Sequence, residues 1–264
     1  MKNNLYSVNK TLYIPLYGKA YVSRRSLFIN DGWAERIWEA EGFPIKGKSK
    51  SKWLAYYMGI RSAVFDDWVK EKLTETDDAV VLHIGCGMDS RAFRIGDCQH
   101  PWYDLDFPEV IAERKKYYSE SEHYKMLGCD LRSIDWLSDL PCGRAIVLME
   151  GVSMYLSPEE LRAALDRITD HFASTSLLID CYTPLAARLS KYKNPINDVG
   201  VRTVWGIDDP KLLESERLKF ATEQNMTPKE YINELHGLEK FVFSRLYAGG
   251  FSKKLYRLFA YETL

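Results

Sequence analysis

At 264 residues, 46% hydrophobic and 28% charged, the chain is long enough for one large α/β domain with an extension and apolar enough to bury a core. A net charge of −1 supplies no global positive field for nucleic acid, and no stretch approaches the length of a membrane span. Cys86, Cys98, Cys129, Cys142 and Cys181 are odd in number and lack Cys-x-x-Cys spacing, which argues against a disulfide framework or a zinc site and for reduced thiols.

The opening Met1-Lys2-Asn3-Asn4-Leu5 has no signal-peptide apolar core, so a cytoplasmic protein is expected. Residues 1 to about 75 read as helical, with apolar residues at helical spacing in Trp53–Arg61 and Val64–Val69 and polar linkers between segments. From about residue 78, strands alternate with helices. Val80–Ile84, Trp102–Leu105 and Tyr124–Gly128 read as strands, and Pro108 opens a helix after the second. Ala145–Met149 is an unbroken apolar run, as expected of a strand buried on both faces. Ser157-Pro158-Glu159-Glu160 is a capping box that starts an amphipathic helix to about Phe172, and Ser176–Asp180 is a fifth strand. This alternation predicts a right-handed, mostly parallel, doubly wound α/β sheet. Residues 183–237 show no strong strand and read as a lid or insertion, with a helix start at Thr227-Pro228-Lys229-Glu230. Phe241-Val242-Phe243 and Lys254–Tyr261 read as late strands. The expected division is a helical extension and cap over 1–77 and a ligand-binding domain over 78–264, with the lid at about 183–237.

In an open α/β sheet the ligand lies beyond the carboxyl ends of the strands, so the polar residues there matter most. The first strand runs into Gly85-Cys86-Gly87-Met88-Asp89-Ser90-Arg91. A Gly-x-Gly turn lets a ligand touch backbone. Ser90 occupies the position where the dinucleotide fingerprint needs its third glycine. A nucleotide-like ligand without a pyrophosphate fits better than NAD, and S-adenosylmethionine is the candidate. The second strand ends in Asp104-Leu105-Asp106. Asp106, nearer the end, is the choice to accept ribose hydroxyls, with helix capping before Pro108 as its alternative. Asp130, after Gly128-Cys129, can accept from an adenine amino group while Leu131 packs on the ring; turn chemistry is the alternative. Glu150 follows five apolar residues and needs a cation or several donors if buried. The ligand's ammonium is one such cation, and a structural arginine, Arg61 or Arg91, is the other. His83, inside the first strand, reads as a satisfied core residue. No metal cluster and no Ser-His-Asp set is discernible.

The blocks Gly85–Arg91, Asp104-Leu105-Asp106-Phe107-Pro108-Glu109-Val110 and Glu150-Gly151-Val152-Ser153-Met154-Tyr155-Leu156 resemble the signature blocks of the leucine carboxyl methyltransferase family, in the branch that acts in polyketide O-methylation. Ile14–Ala20 and Arg61 with Phe65-Asp66-Asp67 are similar to that branch too. The resemblance implies a class I methyltransferase, a Rossmann-like seven-stranded sheet that uses S-adenosylmethionine. It implies Arg61 for the methionine carboxylate, Gly85 and Gly87 along the methionine portion, Asp106 for the ribose, Asp130 and Leu131 for the adenine, and Glu150 near the amino end. The implied reaction is O-methylation of a carboxylate or hydroxyl on a small, polyketide-like acceptor, with no nucleic acid or membrane partner and the oligomeric state open. Tyr17, Lys19, Tyr155, Tyr182 and Arg202 are the candidate acceptor contacts. Methylation of a protein's C-terminal carboxylate, and a non-catalytic S-adenosylmethionine-binding module, are the alternatives.

Overall fold

The computed structural model describes residues 12–41, 47–96, 99–133, 135–190 and 204–264. Seven strands form one sheet: β1 (Ala79–Ile84), β2 (Trp102–Asp106), β3 (Tyr124–Gly128), β4 (Arg144–Met149), β5 (Ser174–Tyr182), β6 (Leu218–Gln224) and β7 (Tyr256–Thr263). Their order across the sheet is β3-β2-β1-β4-β5-β7-β6. The first five are parallel, and β7 inserts antiparallel between β5 and β6. The chain steps outward from β1 to β3 and then returns to pair β4 on the other side of β1. That reversal opens a crevice at the carboxyl ends of β1 and β4.

Every residue of β1 is buried, because both sheet faces are covered. Val81 points into a core shared with Tyr56, Ile60, Phe65 and Trp68. Val80, Leu82 and Ile84 point to the opposite core, shared with Leu161, Leu165 and Ile168. The first face is covered by helices that precede the sheet: α1 (Tyr13–Ser23), α2 (Gly32–Glu41) and α3 (Lys52–Glu75). The α3 helix is one continuous element rather than two segments, and it is buried nearly all round from Ala55 to Val69, as a helix clamped between a sheet and further helices must be.

The short α4 (Arg91–Ile95) follows β1, and α5 (Pro108–Arg114) starts with Pro108 in its first turn after β2. On the second face lies α6 (Pro158–His171), opened by the Ser157–Glu160 capping box. Among the described residues, four further short helices follow: α7 (Pro184–Leu189), α8 (Lys229–Glu234), α9 (Gly237–Leu246) and α10 (Gly250–Lys253). No helix among the described residues is long and apolar enough to cross a membrane.

Two expectations are corrected. The stretch 183–237 is not free of strands, since Leu218–Gln224 forms the sheet edge. Edge position leaves most of β6 half-exposed, and a register shift between Phe220 and Thr222 breaks its alternation. Phe241-Val242-Phe243 lies in α9, not in a strand. There Phe243 is fully buried and meets Tyr56 edge-on at 6.2 Å, whereas Phe241 is 64% exposed; tertiary packing overrides β-propensity.

Candidate active site

The turn after β1 is built for close approach. Gly85 and Gly87 have φ of +67° and +52°, the left-handed region that side-chain-bearing residues avoid. A Cβ on Gly85 would overlap Val152, and one on Gly87 would lie 3.1 Å from Leu12. The turn therefore offers bare backbone to a cavity of about 540 Å³ at the carboxyl ends of the strands.

Asp106, at the end of β2, accepts the Gly87 amide through Oδ2 and the Phe107 amide through Oδ1, both at 2.8 Å. It therefore braces the glycine turn against the backbone just before α5, and makes no capping bond to the helix itself. Burial pushes its carboxyl up to about 6, against the two amides that favour the charged form. Asp104 is different. It is fully buried and holds four donors: His83 Nδ1 at 3.1 Å, Trp102 Nε1 at 2.9 Å, Tyr124 hydroxyl at 2.6 Å and Arg114. With no capacity left it is structural, as is His83. Arg91 Nη1 donates to His83 Nε2 at 3.2 Å. Arginine has no acceptor, so Nε2 carries the lone pair and the proton sits on Nδ1. Burial holds this imidazole below its ordinary pKa.

Glu150, directly after β4, is met by two arginines of the protein. Arg61 from α3 reaches Oε1 with Nε and Nη2, both at 3.0 Å, and Arg91 binds Oε2. Burial alone pushes the Glu150 carboxyl up, but Lys19, Arg61 and Arg91 outweigh it and hold it well below the usual range. Of the two kinds of cation expected to answer Glu150, the structural arginines are in place, and both Arg61 and Arg91 are engaged. Arg91 continues to Asp66 at 2.7 Å, and Arg94 joins Asp66 at 2.6 Å, Asp31 at 2.9 Å and Asp89 at 3.0 Å. Lys19 closes this buried network on Asp89 at 2.6 Å.

The cavity brings together Arg61, Gly85, Gly87, Asp106, Asp130, Leu131 and Glu150, with Lys19, Tyr155 and Tyr182. Asp130 pairs with Arg132 at 2.6 Å near the surface. Tyr17 is not among them. Its hydroxyl donates to the Lys50 carbonyl at 3.3 Å, and its ring packs 5.0 Å from Trp38. Two residues along a helix lie about 200° apart, so the turn of α1 that aims Lys19 at the cavity aims Tyr17 away from it. Arg202 lies outside the described residues. Sequence reasoning passed over Asp180, which is fully buried, binds Arg61 and follows an apolar run as Glu150 does. The same signal, a carboxylate after an apolar run, marks both.

The site fits S-adenosylmethionine: a side-chain-free turn, a carboxylate one strand over, an apolar residue beside Asp130, and a buried carboxylate–arginine pair at the far end. Fold and site together define an S-adenosylmethionine-dependent methyltransferase, and solved structures of that class share the fold. One from Anabaena variabilis superposes with a TM-score of 0.53 at 9% identity, covering 88% of this chain and 91% of that one. Magnesium protoporphyrin IX methyltransferase (ChlM) from Synechocystis, solved with bound S-adenosylhomocysteine, gives 0.50 at 14% identity, covering 89% and 95%. Residues 15–169 match the family model of leucine carboxyl methyltransferases, and the chain belongs to that family. Tetracenomycin polyketide synthesis O-methyltransferase TcmP of Streptomyces glaucescens is 30% identical over 244 residues, 90% of each chain. The S-adenosyl-L-methionine-dependent methyltransferase dpfgK of Gibberella zeae is 27% identical, covering 81% of this chain and 80% of its own.

Proposed function

We propose that this methyltransferase transfers the methyl group to an oxygen, first a carboxylate and second a hydroxyl, of a small polyketide-like acceptor. The observation that carries the reading is the cavity's mixed lining. In this reading its charged and glycine-turn residues form a cofactor half, and Ile14, Leu16, Met58, Met154, Tyr155 and Tyr182 an acceptor half. The likeness to TcmP over 90% of both chains supports the same reaction class.

In this reading Gly85, Gly87, Glu150 and Arg61 hold the methionine portion, Asp106 the ribose, and Asp130 with Leu131 the adenine. Lys19, tied to Asp89 of the glycine turn, belongs to this half rather than to the acceptor. The helices before residue 77 act as a cap that walls the acceptor half. When bound, the cofactor supplies an already activated methyl group, so the protein's part is proximity and alignment, worth up to roughly 7–11 kcal/mol in favourable cases. A carboxylate is ionised at neutral pH and requires no general base. That suits a cavity where the His83 nitrogens and the Tyr256 hydroxyl are already engaged. Burial holds the Cys86 thiol in its protonated, unreactive form.

The test is methyl-labelled S-adenosylmethionine with a panel of aromatic carboxylic acids and phenols. Label released as methanol by mild alkali marks a methyl ester; alkali-stable label marks an ether. Transfer confined to a peptide with a C-terminal leucine, or to nitrogen or sulfur acceptors, overturns the reading.

A further inference from the structure

Asp180 lies two residues before the end of β5, one layer behind the cavity wall. It is fully buried and does not line the cavity, yet its carboxylate is tied to three elements that do. Oδ2 accepts from Arg61 Nη1 and from the Tyr256 hydroxyl, both at 3.0 Å, and Arg61 Nη1 also donates to that hydroxyl at 2.9 Å. Oδ1 accepts the Gly151 amide at 2.7 Å, the peptide bond directly after Glu150. The Asp180 carbonyl accepts the Ser153 hydroxyl from the turn that follows. One carboxylate thus grips Arg61 of α3 and the backbone of the Glu150–Gly151 turn, the two parts whose side chains meet as an ion pair at the cavity.

We propose that Asp180 is a positioning residue: it fixes Arg61 and the Glu150–Gly151 turn against each other and so sets the affinity for the amino-acid end of S-adenosylmethionine. This rests on the placement of that end against Arg61 and Glu150. Without Asp180, the Arg61 guanidinium keeps Glu150 and the neutral Tyr256 hydroxyl but loses its second anion, so that it can pivot, and the Gly151 amide loses its anionic acceptor. Orientation is then lost although both cavity-lining side chains remain. A carboxylate is required because three donors converge on it. An amide keeps the size and one acceptor oxygen, but its NH₂ faces donors it cannot satisfy.

The experiment compares two ligands that share adenine and ribose: S-adenosylhomocysteine, which carries the amino-acid end, and 5′-methylthioadenosine, which lacks it. Asp180→Asn should weaken S-adenosylhomocysteine about tenfold or more, the scale of a lost charge-assisted hydrogen bond, and leave 5′-methylthioadenosine within about twofold. A merely structural role moves both affinities together, and that result, or an unchanged ratio, overturns the proposal. Arg61→Lys and Glu150→Gln run beside it. If they lower the ratio and Asp180→Asn does not, the positioning role fails. If they too leave it unchanged, the placement of the amino-acid end fails and the proposal with it. Should Asp180→Asn not fold, Tyr256→Phe, which removes the hydroxyl bridging Arg61 and Asp180, must lower the ratio in the same direction; an unchanged ratio there overturns the proposal.

Discussion

Glu150 sits between two arginines, and that fixes what its removal does. Glu150→Ala strips one carboxylate from Arg61 and one from Arg91, both nearly or fully buried. Breaking a buried pair from one side costs roughly 3–5 kcal/mol; here the lower end is expected, because Arg61 keeps Asp180 and Arg91 keeps Asp66. Urea denaturation of the two proteins measures it, and a loss below about 1 kcal/mol would show that the network is open in solution. Ligand affinity in this variant then reports stability as well as contact, so Glu150→Gln is the better probe of binding. The type of residue at each strand end was legible in the sequence, since a carboxylate after an apolar run has to be answered by something. Arg61 and Arg91 were legible as the structural alternative, but not that both meet it at once, nor that Asp66 and Asp180 back them. Asp66 comes from a helix before the sheet and Asp180 from β5, and no local spacing brings such distant residues together.

The elements divide along the same line of local against distant causes. Strands buried on both faces, such as β1 and β4, advertise themselves as apolar runs. The capping box of α6 is written in four consecutive residues. Both of its bonds form, Glu160 N–H to Ser157 Oγ at 3.2 Å and Ser157 N–H to Glu160 Oε2 at 2.8 Å. Ser157→Ala should therefore cost about 1 kcal/mol and lower the melting temperature. The change should be seen in stability and not in cofactor affinity, because Ser157 is not part of the cavity wall. An unchanged melting temperature would mean that packing of Leu161 and Leu165 holds the helix start unaided. β6 and α9 carry no such local signature. β6 pairs only with β7 and has a bulge where alternation should run. α9 is pinned from outside itself: Glu239 accepts from Tyr56 at 2.6 Å and pairs with Lys52 at 2.8 Å, and Phe243 fills the space beside Tyr56. Three β-prone residues in a row become helical because the partners that decide the matter lie almost two hundred positions away.

At the scale of the whole molecule, the buried carboxylates fall into two groups that respond to pH with opposite sign. Glu150, Asp89 and Asp104 are buried, yet their cationic neighbours hold them below their ordinary values. An unfolded chain protonates these groups as pH falls through about 4, while the folded one refuses the proton. Their contribution is present above that range and is lost progressively toward strong acid. Asp106 and Asp180 are pushed up to about 6, in each case chiefly by burial. Between about pH 4 and 6 the folded state keeps protons that the unfolded state has released, so these two weaken the fold as pH rises through that window and change nothing above it. His83, held below its ordinary value by burial, acts the other way, because the unfolded chain takes up its proton below about 6.5. The sum over the molecule hides each part, and a difference between proteins exposes one. Asp106→Asn removes a single raised carboxyl while leaving an acceptor oxygen for the Gly87 or Phe107 amide. Its melting temperature relative to the wild type should climb from pH 4 to pH 6 and then level off. A difference that falls over the same interval would mean that the two amide bonds outweigh burial and that Asp106 is ionised throughout.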